Sequence, residues 1–433
     1  MSAIASAQSK SPRRAIILSG GGARGAYEAG VLRFILDELP LRHGIDPNFE
    51  IVCGTSVGAI HAAFVAATAD MTTGRGPRLV KIWEDLQVGE IFRFSRRELL
   101  ALPRMLFGVR KVAQLLREGR RPDRLFGLLD TAPLEQLVLQ SIPWEGIRRN
   151  LKSGRVDSVC IAATQLATGR AVIFTEQEKR SHFAQDPQDL IHMQAARLAP
   201  VHALASAAIP LLFPSVRVGS RYYADGGLRL NTPLAPALRL GADRVLVIGL
   251  SHGASPTVSE ALAQQRTAGF GNPMFLFGKV LNALMLSPID ADVARLRFVN
   301  DILDHGEMAF GPDFLEKINA AGASQGARAL RPIDHMVIRP SQDMGLMAGD
   351  LLADADGKLE LNAFLKMFLR AGGSGSDDNG DGLREADLLS YLLFDKAFTT
   401  PLVELGYADA LAREDELLRF FSDENTSPPA SGG

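Results

Sequence analysis

Short apolar runs alternate with glycine clusters and helical-period segments over the first 250 residues or so of the chain. Residues 15–19 form a continuous apolar run of strand length that enters a glycine cluster. A helix is predicted over 26–39, ended by Pro40. A second strand is predicted over 49–53, broken by Gly54, and then a helix of small apolar residues over 57–67. Strand, loop, helix, strand, turn, helix predicts an α/β fold with parallel pairing. Residues 158–163, 171–174 and 244–248 are further strand candidates able to share one sheet with the first two. From 256 to 421 the pattern becomes mostly helical, with one strand-like run at 335–338. The expected organisation is an α/β unit over 12–255 with an insertion at about 90–125, a helical extension over 256–421, and a polar, disordered tail over 422–433.

Composition narrows the function classes. The 433 residues are 46% hydrophobic and 22% charged, as in an ordinary globular protein. A net charge of -2 excludes bulk electrostatic attraction to nucleic acid, so no nucleic-acid partner is expected. The two cysteines, Cys53 and Cys160, sit in strand-like runs and read as buried fillers of a reducing, cytoplasmic compartment. The first fourteen residues carry no apolar core ahead of Arg13-Arg14, which is not the order of a signal peptide. No window reaches the roughly 18 apolar residues that span a bilayer, so any work on lipid is expected from the surface. Between Arg93 and Arg124 ten basic residues face only Glu98, Glu118 and Asp123, interleaved with Phe, Leu and Met. That mixture suits peripheral contact with an anionic membrane, or equally a solvated insertion packed on the core.

Three motifs carry candidate chemistry. Gly20-Gly21-Gly22-Ala23-Arg24-Gly25 formally fits a dinucleotide loop, but the second strand ends in Gly54-Thr55-Ser56, not in the acidic residue that holds a ribose. A phosphate-binding P-loop fails because Ala26-Tyr27 follows Gly25. The loop reads instead as an oxyanion hole at a helix N-terminus, with Arg24 strengthening the field or holding the loop, or as a plain tight turn. Gly54-Thr55-Ser56-Val57-Gly58 is G-x-S-x-G between a strand and a helix, the setting of an exposed nucleophilic serine. Such a serine needs a base. Of the eight histidines, His61 is expected to point away from the turn, and His252, after the strand at 244–248, is the best triad candidate. The third motif, Asp225-Gly226-Gly227, is either a sharp turn presenting a carboxylate or a simple hairpin.

Taken together and in this order, the three motifs resemble the signatures of patatin-like phospholipases. Residues 205–214 resemble the stretch that precedes that family's aspartate, and Ala162-Ala163-Thr164 with Thr168-Gly169 resemble its middle strand pair. The resemblance covers about 14–251. It implies a three-layer α/β/α fold with a mainly parallel sheet and hydrolysis of lipid acyl esters, with a membrane lipid as substrate. It also implies a Ser-Asp dyad without histidine: Ser56 as nucleophile, Asp225 as general base, and the loop from Gly20 to Gly25 as oxyanion hole. No cofactor and no metal are expected, since no cluster has zinc spacing. The acidic run Asp377-Asp378-Asn379-Gly380-Asp381-Gly382 resembles the start of a calcium loop, but its twelfth position is Leu388 where a bidentate Glu is needed. Two other functions fit the same chain: a soluble esterase or thioesterase on the same dyad, and a silent membrane-associated scaffold.

Overall fold

The computed structural model describes residues 12–86, 91, 122–125, 127, 129–179, 189–210, 212–253, 283, 289–324, 329–353 and 387–422. The calcium-loop-like run and nearly all of the basic stretch, Pro122 to Arg124 excepted, lie outside the described residues.

Among the described residues nine strands form one sheet: β1 (Arg14–Leu18), β2 (Ile51–Thr55), β3 (Ser158–Gln165), β4 (Ala171–Gln177), β5 (Ile191–Ala195), β6 (Val216–Val218), β7 (Arg221–Asp225), β8 (Arg244–Ile248) and β9 (Asp334–Ile338). Their order is β5-β4-β3-β2-β1-β8-β9, with β7 beside β3 and β6 beside β7. The pairs β1–β2, β1–β8, β2–β3, β4–β5 and β8–β9 are parallel, while β3 is antiparallel to β4 and β7. All five predicted strands beyond the first thus join one sheet, and β9 from the mostly helical C-terminal region lies at its edge.

Strands β1, β2 and β8 are buried on both faces, which is why they read as unbroken apolar runs. Alternate residues feed two separate cores. Ile16, Leu18 and Val52 pack under one layer of helices, α1 (Gly25–Arg33), α2 (Val57–Ala67) and α3 (Arg75–Asp85). Ala15, Ile17, Ile51 and Cys53 face the opposite layer, which includes Leu234–Arg239 and Ile289–Phe310. The result is the three-layer α/β/α fold. Cys53 and Cys160 are buried partners across β2 and β3, and burial pushes the Cys53 thiol up.

Pro40 does not end the first helix. A π-helical turn, Phe34–Glu38, follows α1, and Leu39–His43 continues as α-helix until Gly44 closes it at φ 66°. The wider turn moves the preceding carbonyls, so the proline ring meets no clash and its missing N–H falls where bonding is already irregular.

A helix of the C-terminal region, α4 (Lys396–Leu411), lies against α1. Tyr27 Oη donates to Asp409 at 3.0 Å. Gly406 packs so tightly that an added Cβ would fall on the Tyr27 carbonyl oxygen. Replacing a helical glycine with alanine gains about 1 kcal/mol of helix propensity, whereas forcing an atom into a packed interface costs about 1–3 kcal/mol. The clash involves backbone that cannot step aside, so Gly406→Ala is expected to lower the melting temperature; a rise would show that the two helices slide apart freely.

Candidate active site

The sheet brings Ser56 and Asp225 together through one shared lane. Along β3, residues Ser158 to Ala162 pair with β2, and Ala163 to Gln165 pair with β7. Strand β2 leaves the lane at Thr55, opposite Ala162, and β7 enters from the other direction to end at Asp225, opposite Ala163. The residue after the first strand therefore meets the last residue of the second. Ser56 Oγ donates to Asp225 Oδ2 at 2.7 Å.

Ser56 is the one non-glycine with positive φ among the described residues, at φ 54° and ψ −125°. Such a conformation costs on the order of 1–3 kcal/mol and persists where the surroundings enforce it. The flanking glycines let the turn close: a Cβ at Gly54 would strike the Gly58 carbonyl, and one at Gly58 would strike the Leu18 carbonyl. Ser206 adds the enforcement. Its hydroxyl donates to the Ala162 carbonyl at 2.5 Å and accepts the Ser56 N–H at 2.8 Å.

Asp225 is fully buried. Its Oδ1 accepts the Gly227 N–H at 2.7 Å, its own N–H donates to the Ala208 carbonyl at 2.8 Å, and its carbonyl accepts from Thr164 Oγ1 at 2.8 Å. Burial pushes its carboxyl up to about 7, against the Ser56 and Gly227 hydrogen bonds that pull it down. An ordinary aspartate carboxyl titrates near 4. Gly226 anchors the turn through its N–H to the Ser206 carbonyl, 3.2 Å.

The glycine loop runs beside Ser56. Gly20 is stitched twice to Asn231: its N–H donates to the Asn231 carbonyl at 3.3 Å, and Asn231 Nδ2 donates to its carbonyl at 3.1 Å. Gly21 carries the chain into the 3-10 turn Gly22–Arg24, from which α1 starts at Gly25. Ala23 is buried in that turn. Arg24 is buried too, its Nε donating to Ser390 Oγ at 2.7 Å. Of the two roles expected for Arg24, holding the loop matches this contact.

Ser56 and Gly22 open on a cavity of roughly 710 Å³, its mouth included, whose walls are mostly apolar: Ile60, Phe64, Leu79, Trp83, Leu134 and Phe213 among others. Such an apolar lining suits a ligand with a hydrocarbon portion. His61 also lines this cavity. Both its ring nitrogens are nevertheless engaged. The Trp83 indole, which can only donate, reaches Nε2 at 3.0 Å, so Nδ1 carries the proton and donates to Glu28 Oε2 at 2.7 Å. Burial pushes the Glu28 carboxyl up, offset by His61 and by the Ser19 N–H. His252 is exposed and its Nδ1 faces the Pro340 carbonyl at 2.9 Å. Neither histidine is hydrogen-bonded to Ser56, whose hydroxyl goes to Asp225. Ser206 and Thr164, visible in the sequence only inside longer resembling stretches, and Asn231, not singled out at all, each have a backbone partner more than 60 residues away. Among the described residues no group of three or more His, Cys, Asp or Glu side chains is gathered where a metal could sit. No helix among them is long and apolar enough to cross a membrane.

The family model for patatin-like phospholipase matches residues 16–238, just over half of the chain and all three motifs. The chain belongs to the patatin-like phospholipase family. Two relatives, both named cGAMP-activated phospholipase, come from Pseudomonas aeruginosa (strain BWHPSA011 / Pa011) and Escherichia coli (strain TW11681). Each is 28% identical to this member, over 218 and 236 residues, or 50% and 53% of this chain and 53% and 55% of theirs. The chain thus spans about half the length of the curated relatives it matches. Among solved structures, VipD from Legionella pneumophila aligns with 94% of this chain and 67% of its own, at TM-score 0.36 and 14% identity. Human GIVD cytosolic phospholipase A2 aligns with 95% and 59%, at TM-score 0.37 and 13% identity.

The raised Asp225 carboxyl makes two pH-dependent expectations. If Asp225 takes the Ser56 proton, labelling by a fluorophosphonate, followed by mass spectrometry, should accelerate about tenfold per pH unit below 7 and level off above it. A rate that is flat from pH 5 to 8 would detach Ser56 reactivity from Asp225. In stability the sign is opposite: the unfolded carboxyl loses its proton near pH 4, the folded one near 7, so stability falls as pH rises through that window. Asp225→Asn should therefore gain melting temperature relative to the wild type on going from pH 4 to pH 8.

Proposed function

We propose that this chain is a lipid acyl hydrolase that cleaves carboxylic esters with Ser56 as nucleophile and Asp225 as its base. The observation that carries the reading is the 2.7 Å hydrogen bond from Ser56 Oγ to a fully buried carboxylate, on a strained turn that opens on an apolar cavity. A serine alcohol becomes a nucleophile only with such a proton acceptor in place.

As Oγ attacks the ester carbonyl, its proton passes to Asp225 Oδ2 and the carbonyl oxygen becomes an oxyanion. The N–H groups of Gly21 and Gly22, with that of Val57 at the start of α2, are the donors proposed to meet it. The positive end of α2 adds to their field, and a donor of this kind is worth roughly 3 to 4 kcal/mol in a dry site. When the tetrahedral adduct collapses, the bond to the leaving oxygen breaks and the Asp225 proton goes to that oxygen, releasing alcohol or lysolipid. Water then attacks the Ser56 ester, giving its proton to Asp225, and Ser56 Oγ takes the proton back as the fatty acid leaves. The apolar cavity favours a fatty acyl chain over a small soluble acyl donor, because its burial removes hydrocarbon from water.

The test is hydrolysis of phospholipid vesicles by the purified chain. Ser56→Ala and Asp225→Asn are each expected to lose activity by about 10⁴-fold or more with the fold retained, and the double variant to be little worse than either, as members of one catalytic unit behave. Activity preserved in Ser56→Ala would end the assignment.

The basic and apolar residues from 93 to 124 support a second part of the reading, peripheral contact with anionic lipid. Each basic side chain near such a surface is worth about 1 kcal/mol. Replacing Arg96, Arg97, Arg110 and Lys111 with Glu should weaken binding to anionic vesicles, as high salt should in the wild type, while hydrolysis of a short soluble ester persists. Unchanged vesicle binding would return this stretch to ordinary structure.

A further inference from the structure

We propose that Ser390, Tyr391 and Phe394, which lie beyond the family-matched residues, are positioning residues that set the glycine loop and the cavity wall for the reaction at Ser56. The proposal rests on the reading of Ser56 as the nucleophile and extends the site into the C-terminal region.

Two contacts tie this segment to the loop. Arg24 Nε donates to Ser390 Oγ at 2.7 Å, and the Arg24 guanidinium lies 4.6 Å from the centroid of the Tyr391 ring. All three side chains are buried, Ser390 and Tyr391 fully. A guanidinium withdrawn from water needs partners of this kind, a hydrogen-bond acceptor and an aromatic face, so its position is closely determined. Gly22, at φ 58°, lies so close to Tyr391 that a Cβ would fall on the Tyr391 carbonyl oxygen. Gly22 and Arg24 belong to one 3-10 turn. Fixing both ends of that turn against Ser390 and Tyr391 fixes the direction of its N–H groups.

The same segment reaches the other side of the site. Phe394 lines the cavity and stacks on Trp83, with ring centroids 6.1 Å apart and planes at 13°. Thr399 Oγ1, which reaches the Asp395 carbonyl at 3.1 Å, also lies 3.4 Å from the Trp83 carbonyl, and the Trp83 indole holds His61. One short stretch of chain therefore braces both the donors proposed for the oxyanion and the wall proposed for the acyl chain. Displacement of donors by as little as 1 Å is enough to cost about 10²-fold in rate.

Full-length Ser390→Ala, Tyr391→Leu and Tyr391→Phe separate this from general stabilisation. With p-nitrophenyl butyrate, Ser390→Ala and Tyr391→Leu should lower kcat by about ten- to a hundredfold and leave KM within about twofold. Tyr391→Phe keeps the ring face and should recover most of the rate. Hydrogen exchange gives a second readout that does not depend on hydrolysis: amides in the peptide covering Gly20 to Gly25 should exchange faster in the first two variants, with β4 and β5 unchanged. Phe394→Ala should instead raise KM for long-chain esters. Wild-type kcat and loop exchange in both Ser390→Ala and Tyr391→Leu would overturn the proposal. So would exchange that rises uniformly along the chain, the mark of a merely structural role. If Ser56→Ala keeps full activity while loop exchange still responds to Ser390→Ala, the nucleophile reading falls and the coupling of this segment to the loop stands.

Discussion

The hydrogen bond between Ser56 and a carboxyl sealed from water is the constraint around which the rest is arranged. An ionised carboxylate in that position is costly unless it is hydrogen-bonded, and the sheet supplies the partners. Asp225 ends a strand in the lane that β2 has vacated, so one oxygen meets Ser56 and the other meets Gly227. The antiparallel entry of β7 into a mainly parallel sheet is what makes this possible. A parallel strand there would run in the direction of β2 and could not bring its C-terminal residue back to the end of β2.

Around this pair, small polar side chains convert strand register into side-chain geometry. Ser206 links the Ser56 backbone to β3, Thr164 holds the Asp225 carbonyl, and Thr55 Oγ1 donates to the Leu230 carbonyl at 2.8 Å. Ser19 extends the pattern: its hydroxyl lies 3.0 Å from that of Thr232, and its N–H donates to Glu28. Each bond contributes only about 1 kcal/mol in net stability, less than the strain of a serine held at φ 54° together with a carboxyl held above its ordinary range. Their larger effect is to leave the site a single arrangement.

How much of this was legible depends on how local each constraint is. The Ser56 turn announces itself because Gly54 and Gly58 oppose each other within five residues, and the two-face burial of β1, β2 and β8 shows as unbroken apolar runs. Strand β5, Ile-His-Met-Gln-Ala, lacks such a run because only Met193 is buried, and β6 and β7 are too short and too polar for a pattern to emerge. Asp225 is recognisable through Gly226-Gly227, yet its place beside Ser56 follows from the pairing of Ala163 with Asp225, a relation 62 residues long in the chain that no motif encodes. Ser206, hidden among alanines, and Ser390, far outside the motifs, act through the same kind of long-range register. Pro40 misleads for a local reason, since a π-helical turn rarely betrays itself in composition.

The histidine question shows what geometry adds to residue type. His61 is buried, near a carboxylate and on the cavity wall with Ser56, which is the company a triad histidine keeps. A base in that role must offer a free lone pair to the serine and donate its other nitrogen to an acid. His61 does donate to Glu28, but its lone pair is spent on the Trp83 indole. The proton acceptor proposed for Ser56 is therefore Asp225, where burial would replace what a histidine provides. Lifting a carboxyl from about 4 to about 7 makes it a stronger base by on the order of 4 kcal/mol, while at neutral pH a large fraction stays ionised. A carboxylate moved that far has the basicity of an imidazole, and the desolvation that moves it is the same dryness that strengthens the loop's N–H groups toward an oxyanion.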